Sequence, residues 1–319
     1  MKLLNLGCGS HHHPAWTNVD FVSSGDDVMP YDLNAGIPFE DGSFDAIYHS
    51  HLLEHLPRAY VPVFLKECNR VLKRGGTIRV AVPDLEQIVR IYLNELERSL
   101  DGDTESMQRY EWIILELLDQ MVRNKPGGDM IRYWEQCPMP GESFVKQRMG
   151  AQLSNALHNI SKRKNGNRNG ANPLDNPPAQ QIGEFRLSGE IHQWMYDRYS
   201  LGKLLREAGF RDIGTCRADE SGIPAFNSYL LDIGPDGSVR KPDSLFMEAT
   251  KTRFAPEKEK KNESDNRLDQ LLHERVEASD LTAGTIANAN MLNVLHLSTM
   301  DHAGAGNAAY RLHNGLRSV

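Results

Sequence analysis

Features that mark secreted or membrane proteins are missing from this sequence. Its four cysteines are scattered, with no CxxC pair and no compact framework that disulfides could form, and such usage is typical of a reducing compartment. No apolar run is long enough to span a bilayer. The N-terminus also lacks the charged and apolar pattern of a signal peptide. We therefore expect a cytoplasmic protein without a membrane span.

The sequence also has no surplus of positive charge. The 319 residues carry 43 acidic and 36 basic side chains, a formal net charge of -7, which argues against a general binder of nucleic acid or of membrane surfaces. Hydrophobic residues make up 39% and charged residues 25% of the chain, the range of soluble globular proteins. A chain of this length can bury a substantial core as one large domain or two ordinary ones.

Short apolar runs alternate with helical patterns near the N-terminus. Apolar residues at helical spacing predict a helix over 61–73, which Gly75 and Gly76 should end. Alternation of this kind is typical of a doubly wound, mostly parallel α/β sheet. The predicted strands are 2–6, 16–22, 27–33, 44–48 and 77–82.

A helical insertion is predicted over about residues 85–190, where apolar residues recur at helical spacing. Within it, 161–181 is rich in Asn, Gly, Pro and Lys and is interpreted as a loop. The charged segment 254–290 is interpreted as a linker, and 291–319 restarts the pattern of strand, glycine-rich turn and helix. The elements expected between insertion and linker are a helix at 200–210 and strands near 213–217 and 228–233.

The stretch LNLGCGSHHHPAWTNVD places a glycine turn directly after the first predicted strand. Gly7 and Gly9 let the backbone turn tightly and bring bare N–H groups close to a ligand. A dinucleotide fingerprint would need a third glycine where His12 stands, and an acid about twenty residues further on. Asp20 follows much sooner. The turn is therefore too short and too bulky for the pyrophosphate of NAD.

Acidic residues end the second and third predicted strands, and they suit an adenosine without a pyrophosphate. A carboxylate such as Asp20 can accept hydrogen bonds from both hydroxyls of a ribose, and the Asp32–Leu33 pair could hold an adenine edge. The three consecutive histidines, 11–13, diverge because they are adjacent, so they cannot easily converge on one tetrahedral ion. The sequence therefore predicts no metal site.

Together these segments resemble the class I S-adenosylmethionine-dependent methyltransferases. The resemblance implies a Rossmann-like, seven-stranded, mostly parallel sheet with a helical insertion, in a methyltransferase domain over 1–253 that uses S-adenosylmethionine as cofactor. Three later segments, HQWMYD, REAGF and VRKPDSLFMEA, resemble a subgroup of predicted methyltransferases often found with surface-polysaccharide genes. The segments that carry the main resemblance are LNLGCGS, NVDF, YDL, IPFEDGSFDAIYHSHLLEHLP and FLKECNRVLKRGGTIRVAVPDL.

By this resemblance the glycine turn packs under the methionine part of the donor, Asp20 binds the ribose and Asp32 lies near the adenine. The segment around Ser50 and His51 would border the methyl group that is transferred. Since no helix precedes the first strand, the insertion is expected to close one side of the donor pocket. The cofactor-binding residues expected are Gly7, Cys8, Gly9, Asp20, Asp32, Leu33, Ser50 and His51.

Methyl transfer is a displacement at a sulfonium methyl, in which the protein mainly aligns donor and acceptor. A hydroxyl acceptor also needs a base. The candidates for catalysis are His192, Asp84 and His55, although His55 with Glu54 is as readily a packing pair at a helix start, and His192 a histidine of the core. The aromatic residues of HQWMYD, Trp194 and Tyr196, could stack on a sugar ring or belong to the core.

We therefore expect an enzyme of polysaccharide biosynthesis that O-methylates a glycan or its precursor, with no nucleic-acid partner. The stretch NVLHLSTMDHAGAGNAAYRLHNGL resembles the start of a GT-B glycosyltransferase of group 1, truncated here at residue 319. The alternative is accordingly a non-catalytic, S-adenosylmethionine-binding scaffold that positions a fused or partner glycosyltransferase. A dehydrogenase is a distant third hypothesis. The sequence does not specify the acceptor.

Overall fold

Seven strands form one mixed sheet in the computed structural model, which describes residues 1–166 and 177–252. Their order across the sheet is β3-β2-β1-β4-β5-β7-β6. Strands β1 to β5 pair in parallel, whereas β7 runs antiparallel to both of its neighbours. The predicted Rossmann-like, mostly parallel seven-stranded sheet is confirmed. The strands are β1 (Leu3–Leu6), β2 (Thr17–Asp20), β3 (Val28–Pro30), β4 (Phe44–Ser50), β5 (Leu72–Pro83), β6 (Phe210–Cys216) and β7 (Ser244–Lys251).

The helices divide between the sheet and the insertion. Helices α1 and α8 bury Phe64 and Leu205 in the main core together with Leu6 and Ile47 of the sheet. Helices α2 to α7 form the insertion between β5 and α8, and part of it packs around Trp112 in a core of its own. The helices are α1 (Val61–Val71), α2 (Leu85–Leu100), α3 (Thr104–Val122), α4 (Gly128–Trp134), α5 (Glu142–Met149), α6 (Ala151–Gly166), α7 (Ala179–Leu187) and α8 (Arg198–Glu207).

The predicted end of α1 is wrong, because the glycine pair lies in a strand. Helix α1 ends at Val71 and β5 begins at Leu72, so Gly75 and Gly76 belong to β5. A Cβ on Gly76 would lie 2.7 Å from the carbonyl oxygen of Asp45. Glycine is therefore required by the close approach of β5 to β4, next to the register shift in that pair, and not by a helix end.

The last predicted strand is also wrong. Residues 228–233 form no strand: Phe226–Tyr229 is a short 3-10 helix and Leu230 has a left-handed backbone with φ of 53°. The seventh strand is β7, over residues 244–251. Asp232 explains the difference. Its buried carboxylate accepts hydrogen bonds from side chains of the sheet, and these bonds hold the segment against the sheet without the backbone pairing of a strand.

Two further predictions concern the edges of the described region. The loop expected over 161–181 is helical over 161–166 in α6 and from residue 179 in α7, and residues 167–176 lie outside the described residues. The linker at 254–290 and the glycosyltransferase-like segment at 291–319 lie outside them too. Within residues 1–166 and 177–252, no helix is both long and apolar enough to cross a bilayer.

A buried arginine ties β5 to the antiparallel part of the sheet. Arg79 is fully buried and pairs in register with Glu248 on β7. Its guanidinium donates to Asp232 Oδ2 at 2.7 Å, to Glu248 Oε1 at 2.8 Å and to the carbonyl oxygen of Glu220 at 2.7 Å. Because a buried charge is stable only when it is paired and hydrogen-bonded, this residue fixes the segment between β6 and β7 against the sheet.

Replacing Arg79 by methionine should lower the free energy of unfolding by about 3–5 kcal/mol, because the buried carboxylate of Asp232 would lose its opposite charge. Urea unfolding followed by circular dichroism measures the loss. The matched control is Arg90→Met on α2, an exposed arginine whose ion pair with Glu86 is of the surface type and contributes little. A loss for Arg79→Met no larger than that of the control would contradict the assignment.

Candidate active site

A cavity of about 630 Å³ opens at the carboxyl ends of the parallel strands. Residues that follow β1, β2, β3 and β4 line it, and residues 187–189 at the end of α7 close one side. Ligands of doubly wound sheets bind at this edge, where neighbouring strands connect in opposite directions. The volume falls within the range of ~300–1,000 Å³ that small-molecule pockets have. The insertion thus covers one side of the cavity, as the sequence predicts.

The glycine turn after β1 forms the floor of this cavity. Gly7 has a φ of 63°, and a Cβ there would lie 2.8 Å from Leu52. Its N–H donates to the carbonyl oxygen of Val19 at 2.8 Å, which fixes the turn to β2. Gly9 has a φ of 56°, and a Cβ on it would meet no atom within 4 Å. The turn therefore requires glycine at both positions and leaves open space above the second.

Two carboxylates face the cavity beside the turn. Asp20 ends β2, and its Oδ2 accepts a hydrogen bond from the N–H of Gly9 at 2.7 Å. Its remaining lone pairs are available to the hydroxyls of a ribose. Asp32 accepts hydrogen bonds from the backbone N–H and the side-chain amide of Asn34, both at 2.9 Å. It thereby caps the short 3-10 helix Leu33–Ala35. The start of this helix lines the cavity together with Asp32.

These residues fit S-adenosylmethionine, since they offer a carboxylate for the ribose, apolar walls and an uncrowded glycine turn. Of the eight residues predicted to bind the cofactor, Cys8, Gly9 and Ser50 do not line the cavity. Cys8 is buried, and this burial raises the pKa of its thiol to about 11, so it is no nucleophile. The other five do line the cavity: Gly7, Asp20, Asp32, Leu33 and His51.

The chain after β4 is held in an uncommon conformation. His51 has a φ of 52°, which is rare for a residue other than glycine and often marks functional sites. Its N–H still donates to the carbonyl oxygen of Ala81 at 2.8 Å. Its ring lies between β7 and the segment after β4, so that Nε2 is 2.8 Å from Ser244 Oγ and Nδ1 is 3.1 Å from Glu54 Oε1.

Glu54 is a fully buried carboxylate beside this ring. Burial alone would raise the pKa of Glu54, but His51, His55 and His192 outweigh it and hold the pKa well below its ordinary value. The contact with His51 is short enough for an ion pair, yet its angle does not meet hydrogen-bond geometry. Neither oxygen of Glu54 has a hydrogen-bond partner within the part of the chain that the structure describes.

His192 reaches the same place from the insertion. The carbonyl oxygen of Ile191 accepts a hydrogen bond from Nδ1 of His55 at 3.1 Å, and the N–H of Gln193 donates to the carbonyl oxygen of Glu54 at 2.6 Å. The rings of His55 and His192 are 4.9 Å apart and nearly perpendicular. Burial lowers the pKa of His192 to about 3, so this imidazole is neutral at physiological pH.

The structure thus brings together two of the three residues predicted for catalysis, His55 and His192. It does not bring Asp84 to them: Asp84 caps α2 by accepting a hydrogen bond from the N–H of Gln87 at 3.1 Å, and it does not line the cavity. Ser244 was missed, because a serine at the start of a strand carries no signal in the sequence. Tyr196 is buried and cannot stack on a ligand, whereas Trp194 is partly exposed.

The three consecutive histidines lie elsewhere on the turn and diverge, as their adjacency predicts. Each ring contacts a different part of the chain, so the three do not converge on a common point. Their partners are the carbonyl oxygen of Leu230 for His11 at 2.8 Å, the carboxylate of Asp27 for His12 at 3.1 Å, and the ring of Tyr229 for His13 at 5.1 Å between centroids.

Comparison with known proteins agrees with this geometry. A family model described as a methyltransferase domain matches residues 27–80, and no curated protein matches the chain. Similar solved structures include a SAM-dependent methyltransferase from Archaeoglobus fulgidus (12% identity, 78% of this chain and 86% of that chain, TM-score 0.33). Another is the 1,6-didemethyltoxoflavin-N1-methyltransferase of Burkholderia thailandensis with bound 1,6-didemethyltoxoflavin and S-adenosylhomocysteine (11%, 78% and 70%, TM-score 0.33).

A third is human N-acetylserotonin methyltransferase in complex with SAM (11% identity, 78% of this chain and 47% of that chain, TM-score 0.32). These similarities are distant, and the assignment rests on the family match together with the strand order and the glycine turn. The chain matches a methyltransferase domain over residues 27–80, and its cofactor is S-adenosylmethionine.

Asp20→Ala should weaken the binding of S-adenosylhomocysteine by about 1.5–3 kcal/mol, the scale of hydrogen bonds to a charged group. Isothermal titration calorimetry measures the affinity, and a thermal melt checks that the variant folds. Asp26→Ala is the matched control, since this exposed acid of the same loop does not line the cavity. Binding of NAD by the wild-type protein, with no binding of S-adenosylhomocysteine, would contradict the assignment of the pocket.

Proposed function

We propose that this S-adenosylmethionine-dependent methyltransferase transfers its methyl group to a hydroxyl group of a glycan or a glycan precursor. The observation that carries the proposal is the chain of contacts from Ser244 through His51 to Glu54 at the edge of the donor cavity, which His51 also lines. An alcohol is a weak nucleophile and must lose its proton as the methyl group moves. A histidine oriented by a buried carboxylate serves that purpose.

The two ring nitrogens of His51 have different partners. A carboxylate can only accept hydrogen bonds, so the ionised Glu54 favours the tautomer with the proton on Nδ1 and the lone pair on Nε2. The hydroxyl of Ser244, 2.8 Å from Nε2, occupies a position suited to an acceptor hydroxyl. When bound, the cofactor supplies an electrophilic methyl group. His51 Nε2 accepts the proton of the acceptor hydroxyl, and Glu54 stabilises the imidazolium that forms.

An aromatic side chain near this histidine supports a sugar acceptor. Trp194 is partly exposed, and the guanidinium of Arg58 lies 3.9 Å from the centre of its ring. The backbone N–H of Trp194 donates to the backbone carbonyl oxygen of Glu54 at 3.4 Å, which holds the two segments together. Aromatic faces of this kind pack well against the C–H face of a sugar. His55 lines the cavity and the ring of His192 packs against it, and both are proposed to position the acceptor.

The alternative function, a scaffold that binds the cofactor without catalysis, has less support. A scaffold needs the donor cavity but has no use for a buried carboxylate surrounded by imidazoles. Such groups destabilise a fold unless they are fully paired, and both oxygens of Glu54 lack hydrogen-bond partners among the described residues. A catalytic role for the cluster explains these unsatisfied groups, whereas binding of the donor alone does not.

Incubation with labelled S-adenosylmethionine and a panel of acceptors tests the proposal. We expect methyl ethers on sugars, oligosaccharides or sugar nucleotides, identified by mass spectrometry, and no product from amines of similar size. Methylation of nitrogen alone, or of no hydroxyl in a broad panel of glycans, would reject the proposed acceptor class.

His51→Asn should lower kcat by about 10²–10⁴-fold, the range that general-base catalysis contributes, and change the affinity for S-adenosylhomocysteine much less. Asparagine tolerates the left-handed backbone of this position, so the variant should fold. The matched control is His158→Asn, an exposed histidine on α6. If His51→Asn keeps the turnover of the control, the base is another residue.

A further inference from the structure

Three side chains beside the proposed base converge on one point. Glu54, His55 and His192 each offer one ligand atom, and these atoms all lie within 4.8 Å of one another. Glu54 is fully buried and His192 is 5% exposed. One carboxylate and two imidazoles form a donor set that divalent transition metals favour. Glu54 and His55 are adjacent in sequence, whereas His192 lies after the last helix of the insertion.

A second observation is independent of this convergence: the polar groups around Glu54 are not satisfied by the protein. Within residues 1–166 and 177–252, no hydrogen-bond partner exists for either oxygen of Glu54, for the hydroxyl of Tyr196 or for either ring nitrogen of His49. All three side chains are buried, and the charge of Glu54 acts on both neighbours. Unsatisfied buried groups in such number call for a further ligand.

The hydrogen bonds around the cluster favour the ligand forms of its members. The carbonyl oxygen of Ile191 accepts from Nδ1 of His55, which leaves the lone pair on Nε2. Histidines that bind metals almost always donate their other ring N–H to a carbonyl or carboxylate in this way. On the opposite side, Nδ1 of His51 lies 3.1 Å from Oε1 of Glu54.

We propose that Glu54, His55 and His192 bind a divalent first-row transition cation, which holds the acceptor through two neighbouring hydroxyl groups of a sugar. The second half of this inference rests on the proposed function, whereas the cation site rests on the side chains alone. Three protein ligands leave coordination positions open, and a vicinal diol can fill two of them. A purely oxygen-liganded ion such as Ca²⁺ fits two imidazoles poorly.

Binding requires a small adjustment of the side chains. Ligands about 2.0–2.2 Å from a common ion are themselves separated by about 3–3.5 Å, so the three must draw slightly closer. The backbone bonds from Gln193 and Trp194 to the carbonyl oxygen of Glu54 hold the two segments together and leave the Glu54 side chain free to move. The ring of His55 is held at Nδ1 alone, which leaves Nε2 for the cation.

The cation would take part in the transfer step by acidifying the hydroxyl that it binds. The O–H bond of the acceptor breaks and its proton goes to Nε2 of His51. The oxygen forms the new O–C bond to the methyl carbon, while the S–C bond breaks and its electron pair stays on sulfur. The sulfonium thereby becomes a neutral thioether, the acceptor becomes a methyl ether, and no oxidant or reductant is needed.

Titration of the full chain with Co²⁺, in protein purified without a histidine tag, tests the site directly. We expect one Co²⁺ per chain with visible absorption bands, and affinity at least about 100-fold weaker in Glu54→Gln and in His192→Gln, since even the partners of metal ligands typically contribute ~10–100-fold. Thermal melts check that both variants fold. His12→Ala and His158→Ala are matched controls outside the cluster and should bind as the wild type does.

Two further measurements separate this inference from the proposed function. In the presence of S-adenosylhomocysteine, a sugar with a vicinal diol should change the Co²⁺ spectrum, and its deoxy analogue should not. Absence of stoichiometric Co²⁺ binding, or binding that both cluster variants retain, overturns the site. Full hydroxyl methylation by chelator-treated protein overturns the part of the cation in holding the acceptor and leaves the proposed function intact. A cation bound at the cluster, with no methylated hydroxyl, would instead uphold the site and reject the proposed acceptor.

Discussion

A carboxylate without access to water constrains one whole end of this molecule. Glu54 is fully buried in the short 3-10 helix Leu53–His55 that follows β4, and an ionised group in that position is stable only if opposite charge and polar groups surround it. The compensation comes from His51 before it, His55 beside it and His192 from the insertion. The N–H of Gln193 donates to the carbonyl oxygen of Glu54, so this residue also fixes where the segment that returns from the insertion to the sheet lies.

The antiparallel part of the sheet also helps to position the residues around Glu54. Strand β7 runs antiparallel beside β5, and its first residue, Ser244, contacts His51. Arg79 holds the segment before β7 in place through its hydrogen bond to Asp232. This bond helps to position the first residue of β7. The donor side of the site is therefore built by the parallel strands near the N-terminus, while the acceptor side is built by the insertion and the antiparallel strand.

This division explains what the sequence could and could not predict. On the donor side, Gly7 directly follows β1, Asp20 ends β2 and Asp32 comes shortly after β3, and neighbouring parallel strands bring their ends to one edge. Local patterns are therefore enough to predict both the elements and the pocket. The acceptor side depends on contacts between distant segments. Hydrophobic periodicity indicates which face of an element is buried. It does not indicate which buried polar side chains lie around the same ionised group.

The individual errors have the same origin. The glycine pair at 75–76 was assigned to a helix end, although it serves the close approach of β5 to β4. The segment around Asp232 was assigned to a strand because its apolar residues look like one, whereas a buried ion pair with Arg79 fixes it. In both places a tertiary contact decides the local structure, and a single sequence contains no direct signal for such a contact.

The energetics of the cluster favour chemistry over a structural role. Each buried polar group left without a hydrogen bond destabilises a fold by about 1–3 kcal/mol, and Glu54, His49 and Tyr196 all contain such groups. Apolar residues of similar size would pack at these positions without that destabilisation. The main core around Phe64 and Leu205 supplies stability from apolar burial, which the polar atoms of these side chains do not add to. Their concentration beside the donor cavity is therefore best explained by a ligand that completes them during the reaction.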